Sequence, residues 1–290
     1  MTRPYKSAVE FDVEAHEHYL KGAFESNPLD AASLQTARDE LQAAVDGNPL
    51  YARAHGELAY TLANMAISGW FPGLDLDATW ADAMDHANRG VEIDPHDYIN
   101  HWNLAYCLVN TGNGSDYDKG VERFRKAVDL FNDHTDPMDR KPGLLAEFGE
   151  ILVYGGNIAE GIAMIEKATR PPDWYFWNLS FARYCAEDYN GAIAALNQMS
   201  SQPGDERFIV ASLLVRGAAE AQRGDSAKAQ QAVAQYEALS PSPQAAQHIV
   251  NWERTTYGFK SYHEVDKQDS NVARLAALWV DGINKAGFVK

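Results

Sequence analysis

Histidine and carboxylate side chains at close spacing are the residues of this chain whose types could do chemistry. Asp82 and His86 stand four positions apart, which places both on one face of a helix, as two metal ligands would be. A second cluster, at positions 133–139, combines three aspartates with His134. A metal ion needs several converging ligands, and neither set has a defined further partner. We therefore expect no metal site.

The remaining histidines and the known catalytic motifs also point away from catalysis. His16 and His18 are two residues apart and face different sides of a helix, so we expect both at the surface. His55 and His101 occupy the same position in two similar segments, where we expect interior packing, with a titrating pair as the alternative. The chain has no G-x-S-x-G, no phosphate-binding glycine-rich loop and no H-E-x-x-H. The sequence predicts a protein that is not an enzyme and that holds no cofactor.

Composition and charge limit the classes of partner and the cellular compartment that we expect. Of the 290 residues, 46% are hydrophobic and 23% are charged, as in globular proteins, and no stretch reaches the roughly 20 apolar residues that span a bilayer. The N-terminal segment lacks the apolar core of a secretory signal, so we expect the cytoplasm. A formal charge of −16 disfavours nucleic acid, whose phosphates require clustered Lys and Arg. Cys107 and Cys185 are expected to be buried thiols.

Short helices in a repeating pattern are the elements that must position these residues. Apolar residues recur at helical spacing, and Gly, Pro, Asn and Asp separate the segments. One signature occurs six times, with a small residue, an apolar residue four positions later and a third residue three positions after that. Its members are Ala37, Leu41, Ala44; Ala83, Ala87, Gly90; Gly120, Phe124, Ala127; Gly161, Ile165, Ala168; Ala192, Leu196, Met199; and Ala229, Val233, Tyr236. Three of them are followed by a proline that ends the unit, at Pro49, Pro95 and Pro241.

A second helix precedes these signatures and carries a small residue where the two helices would cross. These small residues are Ala59, Ala105, Gly149, Ser180 and Gly217. The pattern resembles the tetratricopeptide repeat, whose unit of about 34 residues carries W-x2-L-G-x2-Y, A-x3-F and P. The resemblance implies an all-α fold, a right-handed superhelical solenoid of about six helix pairs with C-terminal capping helices. We expect an extension at 1–15, the repeat array at 16–241 and the capping helices at 242–290.

A closer resemblance covers most of the chain. The stretch 19–62, the insert SGWFPGLDLDAT and the closing phrase GINKAGF are similar to the tetratricopeptide region of bacterial class III adenylate cyclases and winged-helix transcriptional activators. The family has an acidic residue before the first repeat's proline, and this chain departs from it in Gly47-Asn48-Pro49. The resemblance implies a signalling or regulatory role beside a cyclase or a transcription partner. It does not imply cyclase activity.

Stacked helix pairs leave a concave groove lined by the first helix of each pair. Aligning the units on their crossing residues places aromatic, amide and acidic side chains in that groove. They are Tyr60, Asn64, Trp102, Asn103, Tyr106, Asn110, Glu147, Glu150, Tyr154, Trp174, Trp177, Asn178, Phe181 and Tyr184. Aromatics bury a large area at low entropic cost and amides bind extended backbone, so we expect a protein or peptide partner. Arg53 is essentially the one cation at these positions, which favours an apolar or basic segment over an acidic tail.

Other roles for the same residues stay open at this level. The aromatics could be ordinary core, or Trp174, Trp177 and Phe181 could enclose a small molecule that the protein senses. The stretch 257–269 could fold back into the groove. The helix expected at 271–286 could cap the array, or its apolar stripe could support a homodimer. The insert at 69–76 could be a contact loop or could pack as a local cap.

Overall fold

The computed structural model describes residues 12–26, 30–68, 70–111, 114–134, 141, 143–168, 173–199, 206–239 and 270–288. These residues form thirteen helices and no strand. In chain order, α1 to α13 are Val13–Glu25, Ala31–Gly47, Ala52–Ser68, Leu76–Ile93, Tyr98–Asn110, Gly114–Asp133, Gly143–Tyr154, Ile158–Ile165, Asp173–Cys185, Tyr189–Leu196, Glu206–Gln222, Ser226–Leu239 and Ser270–Ala286. None of these helices combines the length and the apolar character that crossing a bilayer requires.

Aspartate side chains start several of these helices. Asp12, Asp30, Asp75, Asp97 and Asp188 each precede a helix and accept a hydrogen bond from a backbone N–H of its first turn. The donor–acceptor distances lie between 2.9 and 3.0 Å. The first turn of a helix has N–H groups without intrahelical partners, and a carboxylate also complements the helix dipole. The aspartates that separate the apolar segments in the sequence are therefore helix caps.

A residue with left-handed backbone ends the first helix in three successive pairs. Gly156 follows α7, Glu187 follows α9 and Gly224 follows α11, with φ angles of 81°, 62° and 82°. In each turn the left-handed residue donates to the carbonyl three residues back, and the next residue donates to the carbonyl five back. This is the Schellman pattern, which glycine favours because it has no Cβ. The three turns share one geometry although one of them carries a glutamate.

The described chain forms two compact units. Unit 1 contains α1 to α5 and residues 122–133 of α6. In unit 1, α1 packs on α2 and α3 packs on α4, while α3 also packs on α5. Small residues of the repeat signature lie at the contacts, with Ala37, Ala59, Ala83 and Ala87 fully buried beside larger apolar side chains such as Leu58. The later part of α6 contacts α5 through the rings of Tyr98 and Phe131, whose centroids are 5.4 Å apart.

Unit 2 contains the start of α6 and the helices α7 to α13. Its helices pack in the pairs α7 with α8, α9 with α10 and α11 with α12, and the first helices α7, α9 and α11 contact one another in turn. Gly149 and Gly161 show why small residues stand at the crossings. A Cβ on either glycine would lie 2.6 Å from the carbonyl oxygen of the other, closer than atoms can approach. The last helix, α13, packs on α9, α11 and α12.

The all-α fold class and the succession of helix pairs are confirmed. The first residues of all six signatures are buried. Met199 and Tyr236, the large residues that end the last two signatures, are only half-buried, and so is Val233. Cys107 and Cys185 are buried thiols, as expected. The domain boundaries stay a prediction, and Pro241 and the stretch 257–269 lie outside the described residues.

The insert between α3 and α4 is partly covered. Trp70, Phe71 and Leu74 are half-buried, whereas Pro72 is exposed. The backbone N–H of Leu74 donates to the carbonyl of Phe71 at 3.1 Å, which closes a tight turn. Three of its four large apolar side chains therefore contact the protein, as a local cap would, and a contact-loop role stays a prediction.

Candidate functional site

Unit 1 presents a pair of tyrosines on its first helices. Tyr60 on α3 and Tyr106 on α5 are equivalent positions of successive repeats, and their ring centroids are 4.6 Å apart with the planes tilted by 46°. Both residues are half-buried, so each keeps part of its surface available. Tyr60, Tyr106 and Asn110 define what we call the first-helix face of unit 1. Asn64, which the sequence also placed in the groove, is 7% exposed and belongs to the interior of the unit.

Asn64 and Asn110 are held in the same way. The Asn64 amide Nδ2 donates to the carbonyl of Tyr60, and the Asn110 Nδ2 donates to the carbonyl of Tyr106, both at 2.9 Å. The Tyr106 hydroxyl donates to Asn64 Oδ1 at 3.0 Å and so links one repeat to the next. Each amide nitrogen is thereby fixed on its own helix, which orients the side chain before any partner arrives.

The neighbouring pair Trp102 and Asn103 has two different environments. Trp102 is half-buried, whereas Asn103 is 4% exposed. A Cβ added to Gly56 would lie 3.0 Å from Asn103 Nδ2, so this amide sits in the contact between α3 and α5. Asn103 therefore belongs to the interior of unit 1, and Trp102 stays a candidate for partner contact.

The cation predicted for the groove is already paired. Arg53 Nε lies 2.5 Å from Asp97 Oδ2, in an ion pair that joins the start of α3 to the cap of α5. Glu57, one turn beyond Arg53 on α3, is 7% exposed. A carboxylate-binding clamp needs cations that a ligand can reach, and here an internal carboxylate holds the Arg53 guanidinium. This arrangement supports the expectation that unit 1 does not select an acidic tail.

The histidines at equivalent repeat positions make the same backbone contact. His55 Nε2 lies 3.1 Å from the carbonyl oxygen of Pro49, and His101 Nε2 lies 3.0 Å from that of Pro95. Since a carbonyl only accepts, the imidazole Nε2 donates in both repeats, and Nδ1 of the neutral ring is left as an acceptor. The expected interior packing of both residues agrees with their exposed fractions of 6% and 3%.

His55 has a second partner that the sequence did not indicate. Its Nδ1 lies 2.8 Å from Nδ1 of His86 on α4, so the neutral pair is joined by one N–H that His86 donates. Burial lowers the pKa of both rings, and for His86 this outweighs Asp85, Asp82 and Asp46, which raise it. His86 therefore faces His55 through Nδ1, and among the described residues no third metal ligand converges with Asp82 and His86.

The half-buried carboxyl group of Glu150 is the chemical centre of the first helices of unit 2. Glu150 on α7 accepts a hydrogen bond from the Tyr154 hydroxyl at 3.0 Å and one from Asn178 Nδ2 on α9 at 2.9 Å. Burial raises the pKa of the Glu150 carboxyl to about 7, and the two hydrogen bonds offset this only in part. Glu147, Glu150 and Trp174, all half-buried, define what we call the first-helix face of unit 2. Asn178, which the sequence also placed in the groove, is 2% exposed and bonds Glu150 from the interior.

The other aromatic residues predicted for this part of the groove lie deeper. Trp177, Phe181, Tyr184 and Tyr154 are between 0% and 7% exposed. Helix α13 contacts two of them, with the Trp279 ring nearly perpendicular to those of Phe181 and Tyr184 at centroid distances of 5.7 and 5.4 Å. The Tyr184 hydroxyl donates to the carbonyl of Leu278 at 2.9 Å. These rings pack as core under α13, which was one of the alternatives left open by the sequence.

Among the described residues, no group of three His, Cys, Asp or Glu side chains converges as metal ligands would. His16 Nδ1 is bonded to the Tyr51 hydroxyl at 2.6 Å, and His18 Nδ1 to Glu40 at the same distance. The His18 side chain is 36% exposed. The His16 ring stacks on those of Tyr19 on α1 and Tyr51 just before α3. Asp136 and Asp139 of the acidic cluster lie outside the described residues.

Comparison with solved structures identifies the architecture. A structure from the functional characterization of Pseudomonas aeruginosa PilF matches with a TM-score of 0.53 at 16% identity, covering 81% of this chain and 97% of that one. The fold is that of a tetratricopeptide-repeat protein. The P58(IPK) tetratricopeptide domain matches over 94% of this chain and 99% of that domain at 10% identity, but its TM-score of 0.28 is too low to support an argument.

The tetratricopeptide assignment rests on the fold, because no protein-family model matches the sequence and no curated protein matches it significantly. The closer resemblance to the regions behind adenylate cyclases and transcriptional activators therefore stays a prediction. Within the tetratricopeptide fold, the sequence missed His86 and Trp279 as partners of the candidate site. Only the stripe of apolar residues on the last helix could have indicated Trp279, and nothing in the repeat register indicated His86.

Proposed function

We propose that this chain is a non-enzymatic interaction module whose first-helix faces bind a protein or peptide segment. The observation that carries the proposal is the first-helix face of unit 1, where two half-buried tyrosines contact each other beside Asn110, whose amide is fixed on its own helix. Partly exposed rings bury area on contact, and a pre-oriented amide bonds to a partner's backbone without losing rotamer freedom. The tetratricopeptide fold agrees with this role.

The charges favour an apolar or basic segment. The chain carries 41 acidic and 25 basic residues, and the acids Glu147 and Glu150 belong to the first-helix face of unit 2. Arg53, the cation at a first-helix position of unit 1, is engaged by Asp97. An acidic tail would meet like charge on the first-helix face of unit 2, whereas a basic segment would meet opposite charge there.

A role as a small-molecule sensor is the weaker alternative. It requires a closed aromatic pocket around Trp174, Trp177 and Phe181. In the structure Trp177 stacks on Phe181 with a centroid distance of 6.1 Å, and Trp279 packs nearly perpendicular to Phe181. These rings pack against one another and occupy the space in which a small molecule would have to bind. Regulation of a cyclase or of a transcription partner, and the cytoplasmic location, stay predictions that the partner's identity would test.

Quantitative co-purification tests the proposal. The full-length protein would be compared with the double variant Tyr60→Ala, Asn110→Ala and with Gln42→Ala, a control on the exposed side of α2, by mass spectrometry of the bound proteins. We expect the double variant to lose at least one protein that the other two retain, and the thermal unfolding of all three shows whether each is folded. An unchanged set of bound proteins in a folded double variant would contradict binding through the first-helix face of unit 1.

A further inference from the structure

Glu150 is a half-buried acid that has no cation among its hydrogen-bond partners. Its two hydrogen-bond donors, the Tyr154 hydroxyl and the Asn178 amide, are both uncharged. Among the described residues, burial and these two hydrogen bonds determine the pKa of the Glu150 carboxyl, and no cation contributes to it. A half-buried carboxylate without a counter-ion is unfavourable, and an incoming positive charge would remove that cost.

The cations on the helices that contact α7 have other partners or positions. Arg183 on α9 is bonded to Glu166 at 2.9 Å, and Lys119 on α6 to Asp116 at 2.9 Å. Lys167, after the end of α8, is exposed. The nearest other acid on α7 itself is Glu147, one turn before Glu150, and it adds negative charge to the same face. The charge that Glu150 lacks is therefore not supplied by these described neighbours.

A tryptophan, Trp174, lies one helical turn before the residue that bonds Glu150. Trp174 and Asn178 are four residues apart on α9 and so are neighbours on one helix face, and Asn178 is the residue that bonds Glu150. Trp174 is half-buried and keeps part of its ring available. A carboxylate beside an aromatic face is the combination that binds ammonium and guanidinium groups, through an ion pair and a cation–π contact.

From this geometry we propose that Glu150, framed by Tyr154, Asn178 and Trp174, receives a lysine or arginine side chain of the bound segment. The inference rests on the proposed function and names the recognition element of unit 2. A metal cation is disfavoured, because it needs several charged or imidazole ligands and no group of three converges among the described residues.

Binding of the basic side chain is linked to a proton. The free carboxyl has a pKa of about 7, so near neutral pH roughly half of the molecules carry the neutral acid. The ion pair requires the carboxylate, so on binding the proton leaves Glu150 for solvent. Affinity for a basic segment should therefore increase by about tenfold between about pH 6 and about pH 8, as the ionised fraction of the free site rises.

A displayed library of random dodecapeptides provides the test. It would be selected at about pH 8 on the full-length protein, on Glu150→Gln and on Glu147→Gln. Glutamine keeps both hydrogen bonds of Glu150, because its carbonyl accepts from Asn178 and its amide donates to the Tyr154 oxygen. Selected peptides would then be measured at both pH values, together with analogues in which norleucine replaces each lysine.

We expect a conserved Lys or Arg position in peptides selected on the wild type and on Glu147→Gln, its loss on Glu150→Gln, and a pH dependence confined to proteins that retain Glu150. Norleucine analogues should bind about tenfold or more weakly to the wild type at the higher pH. Peptides without a basic position, selected equally by all three proteins, would overturn the role of Glu150 and leave the proposed function standing. Selection of no peptide by any folded protein would contradict the proposed function itself.

Discussion

At the scale of single residues, the histidine pair of unit 1 makes stability depend on pH. His55 donates through Nε2 to Pro49 and accepts through Nδ1 from His86, and Nδ1 can accept only while the His55 ring is neutral. Protonation of His55 would place two N–H groups against each other, whereas His86 already donates through Nδ1 and would gain its proton at Nε2. The pKa of both rings is lowered in the folded state by burial, so the unfolded chain binds more protons than the folded one as the pH falls through about 6.5.

Stability should therefore be complete above about pH 7 and decrease on acidification, because the unfolded chain takes up protons that the folded chain resists. The variant His86→Asn places an amide donor near the position of Nδ1 but does not titrate. We expect it to reduce the acid-induced loss of the unfolding free energy. Urea unfolding at about pH 7 and about pH 5.5, with the exposed His96→Asn as control, measures this. Parallel pH profiles for all three proteins would refute the role of the pair.

At the scale of elements, the turns between paired helices keep their geometry even where the sequence departs from glycine. Glu187 adopts the left-handed conformation that Gly156 and Gly224 adopt in the neighbouring turns. A residue with a Cβ pays about 1 kcal/mol for this conformation. The Glu187 carboxylate accepts from Arg274 of α13 at 2.8 Å, but both side chains are about half exposed, and such pairs contribute little.

Glu187→Gly should consequently stabilise unit 2 by roughly 0.5–1 kcal/mol, because the relief of backbone strain exceeds the loss of an exposed ion pair. Glu187→Ala is the matched control, since it removes the ion pair but keeps the Cβ. Thermal unfolding should order the proteins as glycine variant, wild type, alanine variant. A glycine variant no more stable than the alanine variant would show that the turn is not strained.

Helix α13 packs on aromatic residues of α9 and buries them. Trp279 is 3% exposed and contacts the rings of Phe181 and Tyr184, whereas Val280 beside it is 39% exposed. Trp279→Ala should lower the unfolding free energy by about 3–5 kcal/mol, as for other large buried side chains. Val280→Ala should change it by less than about 1 kcal/mol. Denaturant unfolding of the full chain compares the two, and equal effects would mean that α13 is not docked through Trp279.

At the scale of the whole molecule, the net charge of −16 acts on any charged partner before contact. A lysine-containing peptide that binds the first-helix face of unit 2 should associate faster than its norleucine analogue, and only the lysine peptide should slow with salt. We expect its association rate to fall about tenfold between about 0.01 M and about 0.15 M salt, since the Debye length shortens over this range. Stopped-flow measurement of both peptides tests this, and equal salt dependence would exclude electrostatic steering.

The sequence by itself determined the helix pairs. Small residues such as Ala37 and Ala83 recur in register because every pair must cross its partner closely, and that requirement is local and periodic. The aspartate caps and the glycines at helix ends are likewise visible as short-range patterns. For the same reason, the equivalence of Tyr60 with Tyr106 could be predicted, since one repeat implies the next.

Only the tertiary structure decided which of the predicted face residues stay at a surface. Tyr184 meets Leu278 across 94 positions, Asn178 meets Glu150 across 28, and His55 meets His86 across 31. These sequence separations follow no repeat period, because the contacts depend on how helices dock and on a final helix outside the repeat. The burial that raises the pKa of Glu150 and lowers those of the two histidines is a property of such contacts, since desolvation depends on all the atoms that surround a group.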